Sequence, residues 1–348
     1  ASYAVTSSNT KKNKNKIIKI KNLKLFLNSF AKLKRDYSSA KIIAITGSAG
    51  KTSLKDLINN LLKNYGKTNS SPKSFNNHLG VPISLSNFNL NDKFGVFEVG
   101  MSREGEIRNL TKIIRPNIGV ITNIGEAHLE NFKNINGIAK AKSEIIENIE
   151  PGGTIILNRD DKFFKFLLKK AKLNKLKVFS YGFHKNSDVK VRKIISKNST
   201  SKVFIISNNQ LYKFKIKDLN IYNVLASISV LETLKINLSK AILKFKDLES
   251  SDGRGKKYSV LRYKKKFKLI DESYNANPLS VKNAIVKLKL IKKNKNKKYL
   301  ILGDMLELGP KSKKYHRELS KVINNSDIDK VFIKGKETIF TYKYLNRD

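Results

Sequence analysis

The sequence predicts an α/β protein built as two successive units, each a mainly parallel sheet with helices packed against it. Three observations carry this reading. Short apolar runs alternate with segments of helical period from Lys41 onward, which is the pattern of βαβ connections. A glycine-rich turn joins the first apolar run to its helix. The alternation then pauses at the polar, glycine-bearing stretch LESSDGRGK (residues 248–256) before it resumes. A chain of 348 residues exceeds the roughly 150 residues of an average domain, so an internal boundary is expected, and it is placed at that stretch: 41–249 and 250–348, with 1–40 as a separate leading segment.

In chain order, IIAIT, FGVFEV and NIGVITNI are read as strands, each followed by a helix. The helix after IIAIT carries Leu54, Leu57, Ile58, Leu61 and Leu62 on one stripe of period 3.6, the face that would pack on a parallel sheet. From Gly153 to Ser207 the runs TIILN, KVFSYG and KVFIIS have little helix between the later ones, and they predict an antiparallel extension of the same sheet. A helix is expected after Asn220. Beyond the boundary, FKLID, YLILGDM and KVFIKG are read as strands of a second, Rossmann-like α/β unit, whose first helix buries Val281, Ala284, Ile285 and Leu288.

Composition narrows the function classes. With no cysteine, disulfides, thiolate metal sites and a cysteine nucleophile are excluded. No run of 18 apolar residues exists and ASYAVTSS lacks a signal-peptide pattern, so a soluble, cytoplasmic protein without membrane insertion is expected. Lys and Arg total 71 against 28 Asp and Glu, a net charge of +43 that by itself favours a polyanion such as nucleic acid. The lysines are spread among asparagines and isoleucines along the whole length, without one stripe interleaved with aromatics, so no nucleic-acid partner is predicted. A nucleic-acid-binding ATPase remains the competing class, and DNA-stimulated ATP hydrolysis would reveal it. The densest runs, KKNKNK (residues 11–16) and KKNKNKK (residues 292–298), are read as solvated loops.

TGSAGKTS (residues 46–53) lies between a buried strand and an amphipathic helix, where backbone N–H groups and the helix N-terminus can face phosphates. Lys51 would then meet the β/γ-phosphates and Thr52 a Mg²⁺ ion. This P-loop is of the shorter kind, because Ile45 stands five before Gly50. Glu98 ends the next strand on the edge where open α/β sheets bind ligands, and a carboxylate there suits Mg²⁺ as well as it suits ordering a loop. His128 is delivered to the same edge by the third strand, where a lone histidine would be structural but a neighbour of a P-loop can be a ligand. Lys140 and Lys142 share a helical stretch, and the sequence alone does not separate a functional lysine there from solvated charge.

Taken in order, these motifs resemble the Mur ligases, ATP-dependent amide-forming enzymes of peptidoglycan synthesis, from about Lys41 to the end of the chain. The resemblance implies that Gly47, Ser48, Ala49, Gly50, Lys51, Thr52 and Ser53 bind ATP. It implies that NNHLGVPISL (residues 76–85) is a substrate-side loop, with Asn76 and Asn77 on the substrate. NIYNVLAS (residues 220–227) is similar to the family's adenine-contacting helix start, and Asn223 is the implied contact, although Asp218 and Leu219 stand in place of the usual Gly-x-His. In the second unit, LIDESYNANP (residues 269–278) and LGDMLELG (residues 302–309) resemble the members that add D-alanyl-D-alanine. Arg254, Asp271 and Glu272 would then approach ATP on closure, and Asn275 and Asn277 would bind substrate.

By the same resemblance, two Mg²⁺ ions are implied, held by Thr52, Glu98, His128 and Lys142, the last as a carbamylated lysine. Lys51, His128 and Lys142 are the implied catalytic residues. The implied reaction joins D-alanyl-D-alanine to the terminal carboxylate of UDP-N-acetylmuramoyl-tripeptide through an acyl phosphate, in a monomer. Another amino-acid ligase of the family, such as the folate polyglutamylating enzyme, is the alternative. Residues 1–40 are expected to be the remnant of a UDP-binding domain, and the end at Asp348 to precede the last strands of a third domain, so that the polypeptide would bind ATP without turnover.

Overall fold

The computed structural model describes residues 3–8, 14–197, 200–291, 293 and 296–346. It opens with the parallel pair β1 (Ala4–Thr6) and β2 (Ile17–Lys19), then helix α1 (Leu23–Asp36). The alternation expected from Lys41 follows: β3 (Lys41–Thr46), α2 (Lys51–Leu62), β4 (Thr68–Ser70), α3 (Gly80–Ser86), β5 (Phe94–Glu98), α4 (Glu106–Ile114), β6 (Ile118–Ile121) and α5 (Ile135–Ser143). Next come β7 (Thr154–Asn158), α6 (Phe164–Leu173), β8 (Lys177–Gly182), β9 (Val189–Lys197), β10 (Thr200–Ser207), β11 (Gln210–Lys217), α7 (Ile221–Thr233) and the short α8 (Leu238–Ala241).

These strands form one nine-stranded sheet in the order β11-β10-β9-β8-β7-β6-β3-β5-β4. Its register places Ile45 beside Glu98 and Thr46 beside Ile121, so the ends of β3, β5 and β6 share one edge. Ile42 and Ala44 point to one core and Ile43 and Ile45 to the other. Burial on both faces is why this strand reads as an unbroken apolar run. All five stripe residues of α2 are buried against it.

The expected antiparallel extension begins later than the sequence suggests. TIILN and KVFSYG become β7 and β8, which pair in parallel because α6 supplies the crossover between them. β9 still runs parallel to β8, and the antiparallel strands are β10 and β11. Asn208 and Asn209, both at positive φ, make the two-residue return between them.

In the second unit, β12 (Lys256–Arg262) and β13 (Lys265–Asp271) form an antiparallel hairpin. Helix α9 (Pro278–Leu290), β14 (Tyr299–Gly303), α10 (Ser312–Asn324), β15 (Lys330–Lys334) and α11 (Ile339–Tyr342) follow, with β14 parallel to β15. FKLID thus lies in the hairpin and not beside β14. Of the four residues expected inside α9, Ile285 is buried while Val281, Ala284 and Leu288 are half-buried, the main neighbouring element of α9 being the single helix α10.

The second lysine-rich run is not wholly solvated. Lys298 is buried, with its Nζ 2.7 Å from Asp327 and donating to Lys289 O at 3.0 Å, and Lys293 pairs with Asp329. Residues 11–13 of the first run, and 292, 294 and 295 of the second, lie outside the described residues. Among the described residues no helix is long and apolar enough to cross a membrane.

Arg35 fastens α1 to the body. It is buried, donates to the carbonyl oxygens of Ile114, Ser38 and Arg115, and stands 3.6 Å from Glu150. Removing one partner of such a buried network leaves desolvated acceptors behind. Arg35→Ala is therefore expected to lower the unfolding free energy by about 3 kcal/mol, read as a reduced urea midpoint; an unchanged midpoint would show that α1 contributes little to the fold.

Candidate active site

The loop between β3 and α2 is shaped by residues at the end of β6. Thr122 Oγ1 and Asn123 Nδ2 both donate to Ala49 O, Ala49 N donates to Asn123 Oδ1, and Ser48 exchanges hydrogen bonds with the Gly125 backbone. Gly50 caps α2 at φ +82°, and the helix N-terminus opens toward the loop's concave side. Residues 122–125, on the way to His128, thus hold the phosphate loop.

Two lysines converge on this loop. Lys51 Nζ donates to Gly47 O at 2.9 Å, and Lys142 Nζ donates to the same oxygen at 3.1 Å. Lys142 is 1% exposed. Burial, and then the nearby Lys51 ammonium, push Lys142 well below the ordinary lysine range. Burial also lowers Lys51, against the opposing effect of Glu98. Lys140, one helical step away from that face, is exposed and pairs with Glu104 at 2.8 Å. Structure thus separates two lysines that composition could not.

Glu98 is buried at the strand end, accepting Thr52 Oγ1 at 2.5 Å and Asn76 Nδ2 at 2.6 Å. The hydroxyl and carboxylate are hard oxygen donors beside the phosphate loop, which fits a Mg²⁺ whose other ligands are phosphate oxygens and water. His128 sits at φ +57° with Nδ1 2.5 Å from Glu307 Oε2 of the second unit. Burial lowers its pKa, Glu307 opposes that, and Lys142 and Lys51 lower it further. Among the described residues no three His, Asp or Glu side chains gather as a metal cage.

A cleft runs from the loop between the two units. Ala49, Gly50, Ser53 and Asn223 line one wall, and Arg254, Glu272 and Asn275 the other. Asn223 Nδ2 also donates to Gly50 O at 3.3 Å, and the Arg254 guanidinium lies 4.2 Å from the centre of the Tyr274 ring. The acidic pair divides: Glu272 faces the cleft, whereas Asp271 accepts from Gly253 N and from Ser273 N and Oγ and so shapes the turn behind Arg254. Asn275, expected at the substrate, stands in this same cleft. Asn277 caps α9 through Oδ1 and donates to Ser48 O at 3.1 Å, which ties the units together. Asn76 serves Glu98, and Asn77 accepts from Leu79 N and Gly80 N at the start of α3.

Sequence reasoning missed Asp56, Asn60, Asp218, Asn220, Ser251 and Lys287, which also line the cleft. Ser53, Asp56 and Asn60 recur at helical spacing on α2, so that polar face was readable. Asp218 and Asn220 precede α7, and Ser251 and Lys287 meet them only when the units close.

Residues 45–231 match the Mur ligase middle domain, and residues 259–341 the Mur ligase, glutamate ligase domain. A UDP-N-acetylmuramoyl-tripeptide--D-alanyl-D-alanine ligase of Buchnera aphidicola subsp. Baizongia pistaciae is 36% identical over 322 residues, covering 91% of this chain and 68% of its own. The enzyme of that name from Bacillus subtilis is 32% identical, with 89% and 66% covered. MurF ligase from Thermotoga maritima in complex with ADP superposes with a TM-score of 0.84 at 27% identity, covering 98% of this chain and 77% of that one. MurF from Acinetobacter baumannii gives 0.87 at 25% identity, with 98% and 74% covered. Nothing in these relatives supports the carbamate expected on Lys142, whose Nζ donates to Gly47 O as a free amine. Without it, the second expected Mg²⁺ loses its oxygen donor from this chain, and His128 Nδ1 is turned to Glu307.

The tightest constraint in the loop is Gly47. At φ +149° its backbone leaves no room for a side chain, because a Cβ there would lie 1.9 Å from Thr122 Oγ1. Gly47→Ala should weaken binding of a fluorescent ADP by roughly tenfold or more, the equivalent of about one lost charge-assisted hydrogen bond, with an unchanged circular dichroism spectrum. Normal affinity would mean that nucleotide binds elsewhere.

Proposed function

The chain belongs to the Mur ligase family, and from that membership we propose that it joins D-alanyl-D-alanine to the terminal carboxylate of a UDP-N-acetylmuramoyl-tripeptide in peptidoglycan synthesis, converting ATP to ADP and phosphate. The observation that supports an ATP site most strongly is the convergence of Lys51 and Lys142 on one carbonyl oxygen at a helix N-terminus. Two desolvated amines at that point favour a multiply charged anion. The choice of substrates rests on the relatives' names together with LGDMLELG in the second unit.

In the first step a carboxylate oxygen of the tripeptide attacks the γ-phosphorus, and the bond to the bridging oxygen breaks with its electron pair leaving on ADP. In the second, the neutral amine of D-alanyl-D-alanine attacks the acyl carbon, the C–O bond breaks with its pair leaving on phosphate, and the nitrogen releases a proton to solvent. Neither step uses a protein nucleophile, so the chain's work is positioning and charge stabilisation. Lys51 and Lys142 face the transferred phosphoryl group, and Asn223, Arg254 and Glu272 border the rest of the nucleotide. Thr52 and Glu98 would hold one Mg²⁺, which when bound neutralises phosphate charge. In this division of labour residues 41–249 carry the phosphate loop and residues 250–348 bring the second wall. ATP use fits a cytoplasmic reaction, and the chain is proposed to act as a monomer.

In the full-length protein, phosphate release is expected only when ATP, the UDP-muramoyl tripeptide and D-alanyl-D-alanine are all present. Equal release with a single free amino acid as acceptor would move the chain to a sister ligase. Lys51→Ala should abolish turnover and Lys142→Ala should reduce it by on the order of a hundredfold, whereas Lys140→Ala should retain it. Equal activities of the Lys142 and Lys140 variants would remove Lys142 from the site.

A further inference from the structure

The LGDMLELG motif marks a substrate class in the sequence, yet the mechanism gives it no task. The structure places its second half against the loop between β6 and α5. Beside the 2.5 Å approach of Glu307 Oε2 to His128 Nδ1, Glu130 N donates to Glu307 O at 3.4 Å, and Lys311 Nζ donates to Lys133 O at 3.2 Å. Gly309 lies so near this loop that a Cβ on it would stand 2.9 Å from Glu130 Cα. Met305, Leu308 and Leu129 are buried in one core.

Both residues of the pair have left-handed backbones, His128 at φ +57° and Glu307 at φ +61°. Side chains disfavour that region, and residues persist there where the surroundings impose it. Here the surroundings are built for it. His316 Nε2 accepts from Met305 N at 3.0 Å, and Asp304 accepts the N–H groups of Lys336, Glu337 and Thr338. An incidental surface ion pair requires no such support. His128 in turn lies three residues after Gly125, whose backbone exchanges hydrogen bonds with Ser48 of the phosphate loop.

We infer that Glu307 is a positioning residue for ligation, clasping His128 across the two units and thereby holding the imidazole and the closed cleft beside Lys51 and Lys142. This rests on the proposed function, because it takes the phosphate loop as the place of reaction. Gly309 is the second part of the clasp: without a side chain it lets the motif approach Glu130.

The chain lacks cysteine, so Lys169→Cys on α6 and Lys321→Cys on α10, both exposed positions, can carry a pair of spin labels. With ADP bound, the unaltered clasp should give one short inter-label distance, and Glu307→Gln should broaden and lengthen it. Glu307→Gln should lower kcat by roughly tenfold or more while the KM for ATP changes by less than about twofold, and Glu307→Asp should recover part of the loss. Gly309→Ala, which keeps the carboxylate but wedges the loops apart, should reproduce the open distances. Adding Glu307→Gln to His128→Ala should cost nothing further. Wild-type distances and kcat in Glu307→Gln, or additive losses in the double variant, would overturn the clasp. Absence of ligation by the full-length protein would refute the functional reading instead, and the distances measured with ADP alone would still decide the clasp.

Discussion

Two lysine side chains cannot both stay charged on one carbonyl oxygen in a dry loop unless an anion joins them, and the central unit is organised around that constraint. Charges about 4 Å apart repel by about 4 kcal/mol at an effective dielectric near 20. Lys142 meets the penalty by being pushed well below the ordinary lysine range, so without an anion its amine sheds the proton more readily than a surface lysine does. A polyphosphate reverses the balance. Everything that fixes the Gly47 carbonyl therefore contributes to nucleotide affinity: the Thr122 and Asn123 bonds to Ala49, the Ser48–Gly125 exchange, and the parallel register that brings β3 and β6 level.

The same edge also explains why the second unit must come close. Asn277 reaches Ser48 O, Arg254 stacks on Tyr274 at the cleft wall, and the Tyr274 hydroxyl hydrogen-bonds that of Ser74 on the segment leading to Asn76. Asn76 in turn holds Glu98. The Asn76–Glu98 side and the phosphate-loop side of the cleft are thus mechanically continuous, through short polar contacts that opening would break. Ile285, Leu302 and Leu319 share a core with residues of the nine-stranded sheet's outer face, so closure buries apolar surface as well as aligning polar groups.

Much of this was legible in the sequence, and for definite reasons. A strand buried on both faces, a 3.6-period stripe and a glycine-rich turn are local signals, and β3, the P-loop and α2 follow from them without reference to the rest of the chain. Glu98 was legible because a strand end in an open α/β sheet has a known destination. What was not legible depends on long-range pairing. The crossover through α6 keeps β7 and β8 parallel, and the antiparallel pairing begins only between β9 and β10; apolar runs alone do not encode where the change falls. The split of Asp271 from Glu272 depends on which way a turn faces, and the partnership of His128 with Glu307 joins residues 179 positions apart.

Lysine content posed the harder problem, since biased composition hides functional lysines among solvated ones. Burial separates them, because an ammonium taken out of water needs acceptors for its three donors. Lys55 is buried and has them: the carbonyl oxygens of Ser71 and Lys73, with Asp56 at 3.1 Å. Lys298 has Asp327 and the Lys289 carbonyl. Each is internally satisfied, so each reads as structural. Lys142 is as deeply buried, yet its hydrogen bond to the Gly47 carbonyl is shared with a second lysine. Among the described residues the other buried lysines are satisfied internally, so a buried amine with more donors than acceptors is the place where acceptors from outside would be accommodated, and the proposed phosphate oxygens at the N-terminus of α2 are of that kind.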